Sequence, residues 1–511
     1  MNLNLSNNER LFHGNNKFNR RDLIIFLIPI IIFSVYLFVF NPGIIMFDTC
    51  TQFHEIATNH YGNWHPFFHT FIEMLCLSIY PNPISICVLQ ILVFSIMWMI
   101  ICKYNRKDNL ETNNPFILQV IITLIICLIP MNALYSITLW KDILFSYFLM
   151  FLCFLGQIMI NKKGNVNYKF IILISVIMAF VSQLRPNGLY VILVVMAIYT
   201  IYLFKKNNSK TIVILLPILT ISFILLIGSL NIVYDVENDQ ADAVYGKISH
   251  ILADYDLHLE LSYDDRNKIR EMVPENLSKE KYNLSYIDPI RDNSNHEIYE
   301  ADKSTYINMV IKYSIKNPWH FLQYLFGSSV MVWDISRDAN WIGSPYYLKE
   351  DYDIISHGVE SYYKKIGSYP IESYENMSFV NWGKPVFKML NSFAINFKQN
   401  IVFDTLFDSP ATYMYLAFII LILIQMITKS KDIYLVYLPN FLNIIIIFVS
   451  TPIQDSRYLY ANLLVCYLLI IILIGLRQNS NEKSYYLSAQ NPHIQKEKIE
   501  EDDSKISQYR N

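Results

Sequence analysis

Residues 41–83 read NPGIIMFDTCTQFHEIATNHYGNWHPFFHTFIEMLCLSIYPNP, with no lysine or arginine anywhere in the stretch. It lies between two long apolar runs. Four of the chain's 11 histidines fall here (His54, His60, His65 and His69), together with Asp48, Glu55 and Glu73. Titratable groups at this density between membrane spans are costly unless they face water or a polar cavity. A plain connecting loop has no use for them, so the stretch reads as the chemical centre and the rest of the chain as its scaffold.

Composition makes that scaffold a membrane protein. Of 511 residues, 53% are hydrophobic and 16% charged, whereas soluble domains carry about 25% charged residues. The formal net charge of −2 and the lack of a basic block give no sign of a nucleic-acid partner. Five of the seven cysteines (Cys87, Cys102, Cys127, Cys153 and Cys466) fall in apolar runs without metal-type spacing, and read as small core residues.

Charge-free runs near the roughly 20 residues needed to cross a bilayer lie at 23–40, 84–102, 116–134, 143–161, 186–204, 211–234, 411–428, 433–451 and 458–476. A shorter one, 170–184, is enclosed by Lys169 and Arg185, which makes ten spans. No small-residue cleavage site follows the first run, so it reads as an uncleaved anchor. Lys103, Arg106 and Lys107, Lys162, Lys163 and Lys169, Lys205, Lys206 and Lys210, Lys429 and Lys431, then Arg477 and Lys483 all occupy alternate loops. The positive-inside rule therefore puts both termini in the cytoplasm and 41–83 outside.

The expected architecture is an all-α polytopic membrane protein of about ten transmembrane helices. A cytoplasmic segment, 1–22, precedes a membrane module, 23–234, that carries spans 1–7 and the first outer loop. A mixed, mostly helical outer domain, 235–408, lies between spans 7 and 8. Spans 8–10 fill 409–476, and a polar, disordered cytoplasmic tail occupies 477–511. Within the outer domain, DDRNKIREMV after Ser262 reads as a capped helix, and 317–333 as an interfacial or domain-core helix. No internal repeat is visible.

In the first loop, Thr49 and Gln52 fit a capping box, which would leave Asp48 just before the first turn of a helix. Gln52 and Glu55 would share a face of it. Pro66 suits the first turn of a second helix, on which His65, His69 and Glu73 form one polar stripe. Asp48 reads either as a cap or turn residue or as a general base. The stripe reads as a phosphate or sugar contact, a structural feature or a divalent-metal site, since histidines at i and i+4 have ligand spacing. A divalent metal at this stripe is the one cofactor the sequence suggests, and no Gly-rich phosphate loop marks a nucleotide site. His54 and His60 read as surface residues.

Lys141 in TLWKD, Arg185 in LRPNG and Arg457 in QDSRYLY run against the charge bias at outer ends of spans. Each reads as an interfacial anchor or salt bridge, with Asp142 the neighbour of Lys141 and Asp455 that of Arg457. Together they read as a site for an anionic lipid headgroup. Arg185 has no carboxylate close by in sequence, which marks it as the strongest candidate.

An acidic residue early in the first outer loop, two membrane-surface helices and a late Arg-Tyr pair at the last span resemble the bacterial C-type (GT-C) membrane glycosyltransferases. The set PG…FDTCTQ…NWHPFFHT, LWKD, LRPNG and SRYLYA is similar, more closely, to a bacterial multipass family of undefined activity related to that superfamily. The resemblance covers nearly the whole membrane part, although Thr49 stands where the best-known members have the second residue of an Asp-Glu pair. It implies transfer of a sugar from a polyprenyl-phosphate donor to a glycan, lipid or protein acceptor at the outer face of the cytoplasmic membrane. Asp48 would be the base of a direct, inverting displacement, with Glu55, His65, His69 and Glu73 supporting. Arg185, with Arg457, Lys141 or His65, would hold the leaving lipid phosphate. Trp333, Trp341 and the tyrosines of the outer domain would stack on sugar. A flippase or transporter of lipid-linked sugars, a surface-polysaccharide polymerase or ligase, and a non-catalytic scaffold remain as alternatives.

Overall fold

The computed structural model describes residues 18–106, 114–207, 209–238, 241–335 and 400–490 apart from 408, with a few positions between 389 and 396. Helices dominate these residues, and no strand is formed beyond three isolated bridges. The first half contains α1 (Arg20–Val39), α2 (Phe47–Thr58), α3 (Phe67–Ile79), α4 (Ile84–Asn105), α5 (Asn114–Leu128) and α6 (Pro130–Ser136). These are followed by α7 (Lys141–Asn161), α8 (Tyr168–Leu184), α9 (Pro186–Lys206) and α10 (Lys210–Val233).

Among the described residues, 241–335 fold into eight helices: α11 (Ala241–His258), α12 (Tyr263–Met272), α13 (Glu275–Lys281), α14 (Asp288–Arg291), α15 (His296–Ala301), α16 (Lys303–Lys316), α17 (Pro318–Ser328) and α18 (Val330–Trp333). After α19 (Ile401–Phe407), the chain returns through α20 (Pro410–Thr428), α21 (Tyr434–Ser450) and α22 (Tyr460–Gln490). The helix α22 is described well past the expected boundary at Arg477, and 491–511 lie outside the described residues.

Eight helical stretches among the described residues are long and apolar enough to cross a membrane: α1, α4, α7, α9, α10, α20, Lys431–Ser450 and Ser456–Leu476. The run expected as one span over 116–134 is instead two helices bent by 73°. Pro130 starts the second of them, and its ring keeps the preceding Ile129 extended and out of helical geometry. The helix α8, at 17 residues, is shorter than the other spans.

The order of burial gives the layout. Fully 94% of the apolar window of α7 is buried, so this helix is the axis, with α4, α8, α21 and α22 packed around it. At the other extreme, 17% of the α10 window is buried, and Leu225, Leu226, Ile232 and Val233 point outward. In a membrane such a face meets lipid tails at no cost. The two ends of the bundle differ in chemistry. At one end Asp22, which also closes a capping box with Asn19, receives Lys103 at 3.1 Å and Arg106, so the start of α1 is tied to the end of α4. The opposite end carries the first loop and the outer domain.

In the domain formed by α11–α18, the segment expected to lie outside, Ser262 caps α12 as its sequence indicates, accepting the Asp265 amide. Tyr255, Ile269, Met272 and Tyr313 fill a core of its own. The segment expected as one helix over 317–333 is broken at Ser329 into α17 and α18. The domain sits on the end of the bundle through specific bonds. Ile287 N–H donates to Pro452 O at 3.0 Å, Met331 N–H to Gln454 Oε1 at 2.9 Å, and the Gln454 amide to Ser328 O. The Arg291 guanidinium lies 5.0 Å from the ring of Trp64 in the first loop. Trp341 and the tyrosine-rich stretches GSPYY and YYKKIGSYP lie outside the described residues.

Candidate active site

A short parallel bridge fixes the first loop to the start of α7. Ile44 N–H donates to Ile137 O at 2.8 Å, and Leu139 N–H returns to Ile44 O at 3.1 Å. Gly43, at φ +116°, makes the approach possible, because a Cβ there would strike Cys87 and the Ile137 carbonyl. Thr49 Oγ1 then donates to Leu139 O at 2.6 Å.

That bond corrects the expected capping box. The helix α2 begins at Phe47 with Met46 at its cap and no side-chain cap bond, so Asp48 lies inside the first turn. The hydroxyl of Thr49 is used across the fold, and the Gln52 amide reaches His69 Nδ1 at 3.0 Å and Thr70 Oγ1 at 2.9 Å. A carboxylate in the first turn of a helix is favoured by the partial positive charge there.

The bridge brings Asp48 to Lys141. Asp48 Oδ2 lies 3.4 Å from Lys141 Nζ and 2.9 Å from Arg457 Nη1. Lys141 Nζ in turn donates to His65 Nδ1 at 2.9 Å. Arg457 is positioned by Asp455, which caps the 3-10 turn Ser456–Leu459 and pairs with Arg457 Nε at 3.0 Å. The Arg457 guanidinium lies 4.4 Å from the Trp140 ring, a cation–π contact that holds it flat against the start of α7.

Behind this group lies a second ion pair. Asp142, in the first turn of α7, meets Arg185 Nε at 3.2 Å and lies 3.9 Å from Arg457 Nε. Arg185 is the extended residue between α8 and α9, donates to Tyr458 O at 3.2 Å, and has its guanidinium 4.6 Å from the Tyr458 ring. Two expectations change here. Asp142 serves Arg185 rather than its neighbour Lys141, whose carboxylate partner is Asp48. Arg185, singled out for having no carboxylate nearby in sequence, has a buried one in space. Arg185 still lines a cavity of about 110 Å³, together with residues that include Pro66, Phe67, Gln183, Pro186 and Asn231.

Electrostatics divide the loop's acids and bases. Burial pushes the Asp48 carboxyl up, but Arg457 and Lys141 more than offset it and hold the group far below the usual carboxylate range. Burial drives His65 down to about 3, with Lys141 adding to the effect. The imidazole is neutral at physiological pH and accepts from the lysine, so it brings no positive charge to a phosphate. Burial raises Asp455 to about 6 against the pull of Arg457, with Asp142 and Asp48 adding to the rise.

The expected stripe does not act as one. His65 precedes α3 and faces the ion cluster, whereas His69 and Glu73 are fully buried. Burial lowers His69 to about 3 and raises Glu73 well above its ordinary value, with Glu55 adding to the rise. Both lie beneath α2, with His69 Nδ1 and Glu73 Oε1 3.6 Å apart. Glu55 accepts the Gly62 amide at 3.3 Å. Lys141 takes His65 Nδ1 and Gln52 takes His69 Nδ1, and among the described residues the three side chains of the stripe are not grouped with ligand atoms around one point. His60 is exposed, 3.5 Å from Glu237, and His54 is half-buried. Trp333 donates its indole N–H to Phe326 O. Sequence reasoning missed Tyr458 and Trp140 as the rings that hold Arg185 and Arg457; their adjacency to Arg457 and Lys141 was the available signal.

Comparison with family models, with curated proteins and with solved structures gives no match to this chain. The cluster must be read from its own chemistry. It consists of one partly exposed carboxylate held by two cations from segments 93 and 409 positions away, beside a buried Arg–Asp pair. Such an arrangement can exchange the carboxylate for a bound phosphate oxygen.

Proposed function

We propose that this chain is a glycosyltransferase of the cytoplasmic membrane, similar to the C-type enzymes. It would move a sugar from a polyprenyl-phosphate donor to an envelope glycan, lipid or protein acceptor at the outer face. The observation that carries the reading is the meeting of Asp48 with Lys141 and Arg457 at the bundle end covered by the outer domain. The reading includes ten spans, with the bent pair and α8 counted, and both termini in the cytoplasm.

On this reading the donor's phosphate displaces Asp48 from Lys141 and Arg457. The charges that hold the carboxyl low are then answered by the phosphate while its burial remains, so Asp48 becomes a stronger base. It takes the proton of the acceptor hydroxyl as that oxygen attacks the anomeric carbon. The bond from that carbon to the phosphate oxygen breaks, and its electron pair goes to the leaving lipid phosphate. That group gains one negative charge, and Lys141 and Arg457 stand ready for it without reorganisation. Arg185 borders the neighbouring cavity as the third cation.

The test is reconstitution of purified protein in vesicles with a panel of labelled polyprenyl-phosphate sugars and candidate acceptors. The expected outcome is release of free polyprenyl phosphate together with a labelled acceptor. Movement of intact donor across the vesicle, with no cleavage for any pair, would replace this reading with a flippase.

A further inference from the structure

The outer domain contains a second cluster, far in sequence from the ion pairs at the bundle end. Asp254 and His258 lie four residues apart on the last turns of α11, and His320 comes from α17. Asp254 Oδ1 lies 3.1 Å from His258 Nδ1, and Asp254 Oδ2 lies 2.7 Å from His320 Nε2. One ligand atom from each of the three falls within 4.8 Å of the others. Tyr282 donates its hydroxyl to Asp254 Oδ1 at 2.6 Å.

The charge balance of Asp254 is what needs an explanation. Two residues on, Asp256 is also buried, but it meets Arg266 at 3.2 Å and Arg270 at 3.0 Å. Asp254 is 4% exposed, and its ion-pair partners among the described residues are the two histidines alone. A buried carboxylate is costly unless it is paired and hydrogen-bonded, and no lysine or arginine pairs with Asp254 among the described residues. Two histidines and one carboxylate with ligand atoms within 4.8 Å of one another would answer it by holding a divalent ion.

We propose that Asp254, His258 and His320 form a binding site for a divalent transition metal of the zinc class. Imidazole ligands favour zinc and its neighbours over magnesium or calcium, which prefer all-oxygen sites. Tetrahedral zinc, at about 2.1 Å from each ligand, sets ligand atoms roughly 3.4 Å apart. The observed contacts, 2.7 Å to Asp254 Oδ2 and 3.1 Å to Asp254 Oδ1, lie within about 0.7 Å of that separation, so small side-chain rotations adapt the site. The fourth position is left to water or to a substrate group, in keeping with the half-exposed side chain of His258. Tyr282 then orients the carboxylate from behind, as outer-shell donors do. Occupancy locks α11 to α17, and α17 ends at Ser328, whose carbonyl holds Gln454 in the segment that carries Arg457.

The experiment uses the full chain in detergent, stripped with chelator and titrated with ZnCl2 and, separately, CoCl2. The expected result is one saturable equivalent, with the intense visible bands of four-coordinate cobalt. His258→Ala and His320→Ala should each weaken binding by at least the roughly 10–100-fold that loss of an outer-shell partner costs. His296→Ala, a histidine elsewhere in the same domain, should bind as wild type. The proposal is overturned by an absence of saturable binding at millimolar metal, by a six-coordinate cobalt spectrum, or by both ligand variants binding as wild type. The cobalt spectrum of the wild-type chain decides the matter even if a variant fails to fold.

Discussion

The pair Asp142–Arg185 offers the sharpest separation of structural from functional roles. Both side chains are nearly inaccessible, at 1% and 6%, and their charged atoms are 3.2 Å apart. Asp142→Asn leaves the Arg185 guanidinium buried and unanswered, a change that costs about 3–5 kcal/mol when one partner of a buried pair is removed. Arg185 keeps its bond to Tyr458 O and its place over the Tyr458 ring in both forms, so these contacts cancel in the difference. The expected loss is therefore about 3–5 kcal/mol. Replacing both partners with apolar residues of similar volume (Asp142→Leu with Arg185→Met) should be neutral or stabilising by about 1–4 kcal/mol. Unfolding in mixed detergent, followed by tryptophan fluorescence, measures the single variants and the double. Single variants that each cost under about 1 kcal/mol, or a double as costly as their sum, would refute the buried pair. The same double variant tests function without a folding artefact: it should fold and lose affinity for polyprenyl-phosphate sugar. Normal donor binding would end the role assigned to Arg185.

Asp455 gives the pH dependence. Its folded pKa of about 6 lies above the ordinary value of 3.8, so the folded state holds more protons between them and stability falls as pH rises through that window. Asp48 has the opposite sign: its lowered pKa contributes stability above the ordinary carboxylate value that is lost as pH falls below it. Protonating Asp455 also frees Arg457 from one carboxylate, so binding of the phosphodiester donor should tighten as pH drops through about 6. In Asp455→Asn, titration of binding by calorimetry should be flat there; an unchanged profile counts against Asp455 as its origin. For topology, all seven cysteines are buried, so an impermeant thiol reagent should find little background. In intact cells His60→Cys and Asn293→Cys should label and Asn165→Cys should not. The reverse pattern would invert the orientation and remove the outward site.

Much of the architecture was legible because span-length apolar runs leave few alternatives, and Ser262 announced its helix through local chemistry alone. The failures share one cause: a side chain's partner was sought next to it in sequence. Consecutive residues on a helix point about 100° apart, so Lys141 and Asp142 diverge, one toward Asp48 and the other toward Arg185. Thr49 and Gln52 had the spacing of a capping box, but Leu139, His69 and Thr70 offered tertiary partners instead. The stripe of His65, His69 and Glu73 was correct as a spacing. It divided because His65, though buried, precedes the helix and turns to Lys141, whereas His69 and Glu73 lie beneath α2. Nothing local marked His320 as a partner of Asp254, since 66 positions separate them.

The central claim is that Asp48 is the base of a transfer reaction, and one substitution isolates it. Asp48→Asn preserves size, and Arg457 keeps Asp455 at 3.0 Å, so the fold and the phosphate-binding cations should survive. With lipid-linked sugar and acceptor in vesicles, the variant should bind donor at least as tightly as wild type, because the competing carboxylate is gone from Lys141 and Arg457. Its transfer rate should fall by about 10²–10⁴-fold, the range of a lost general base. Transfer at the wild-type rate would contradict the account, and Asp48 would then be a structural partner of Lys141 and Arg457.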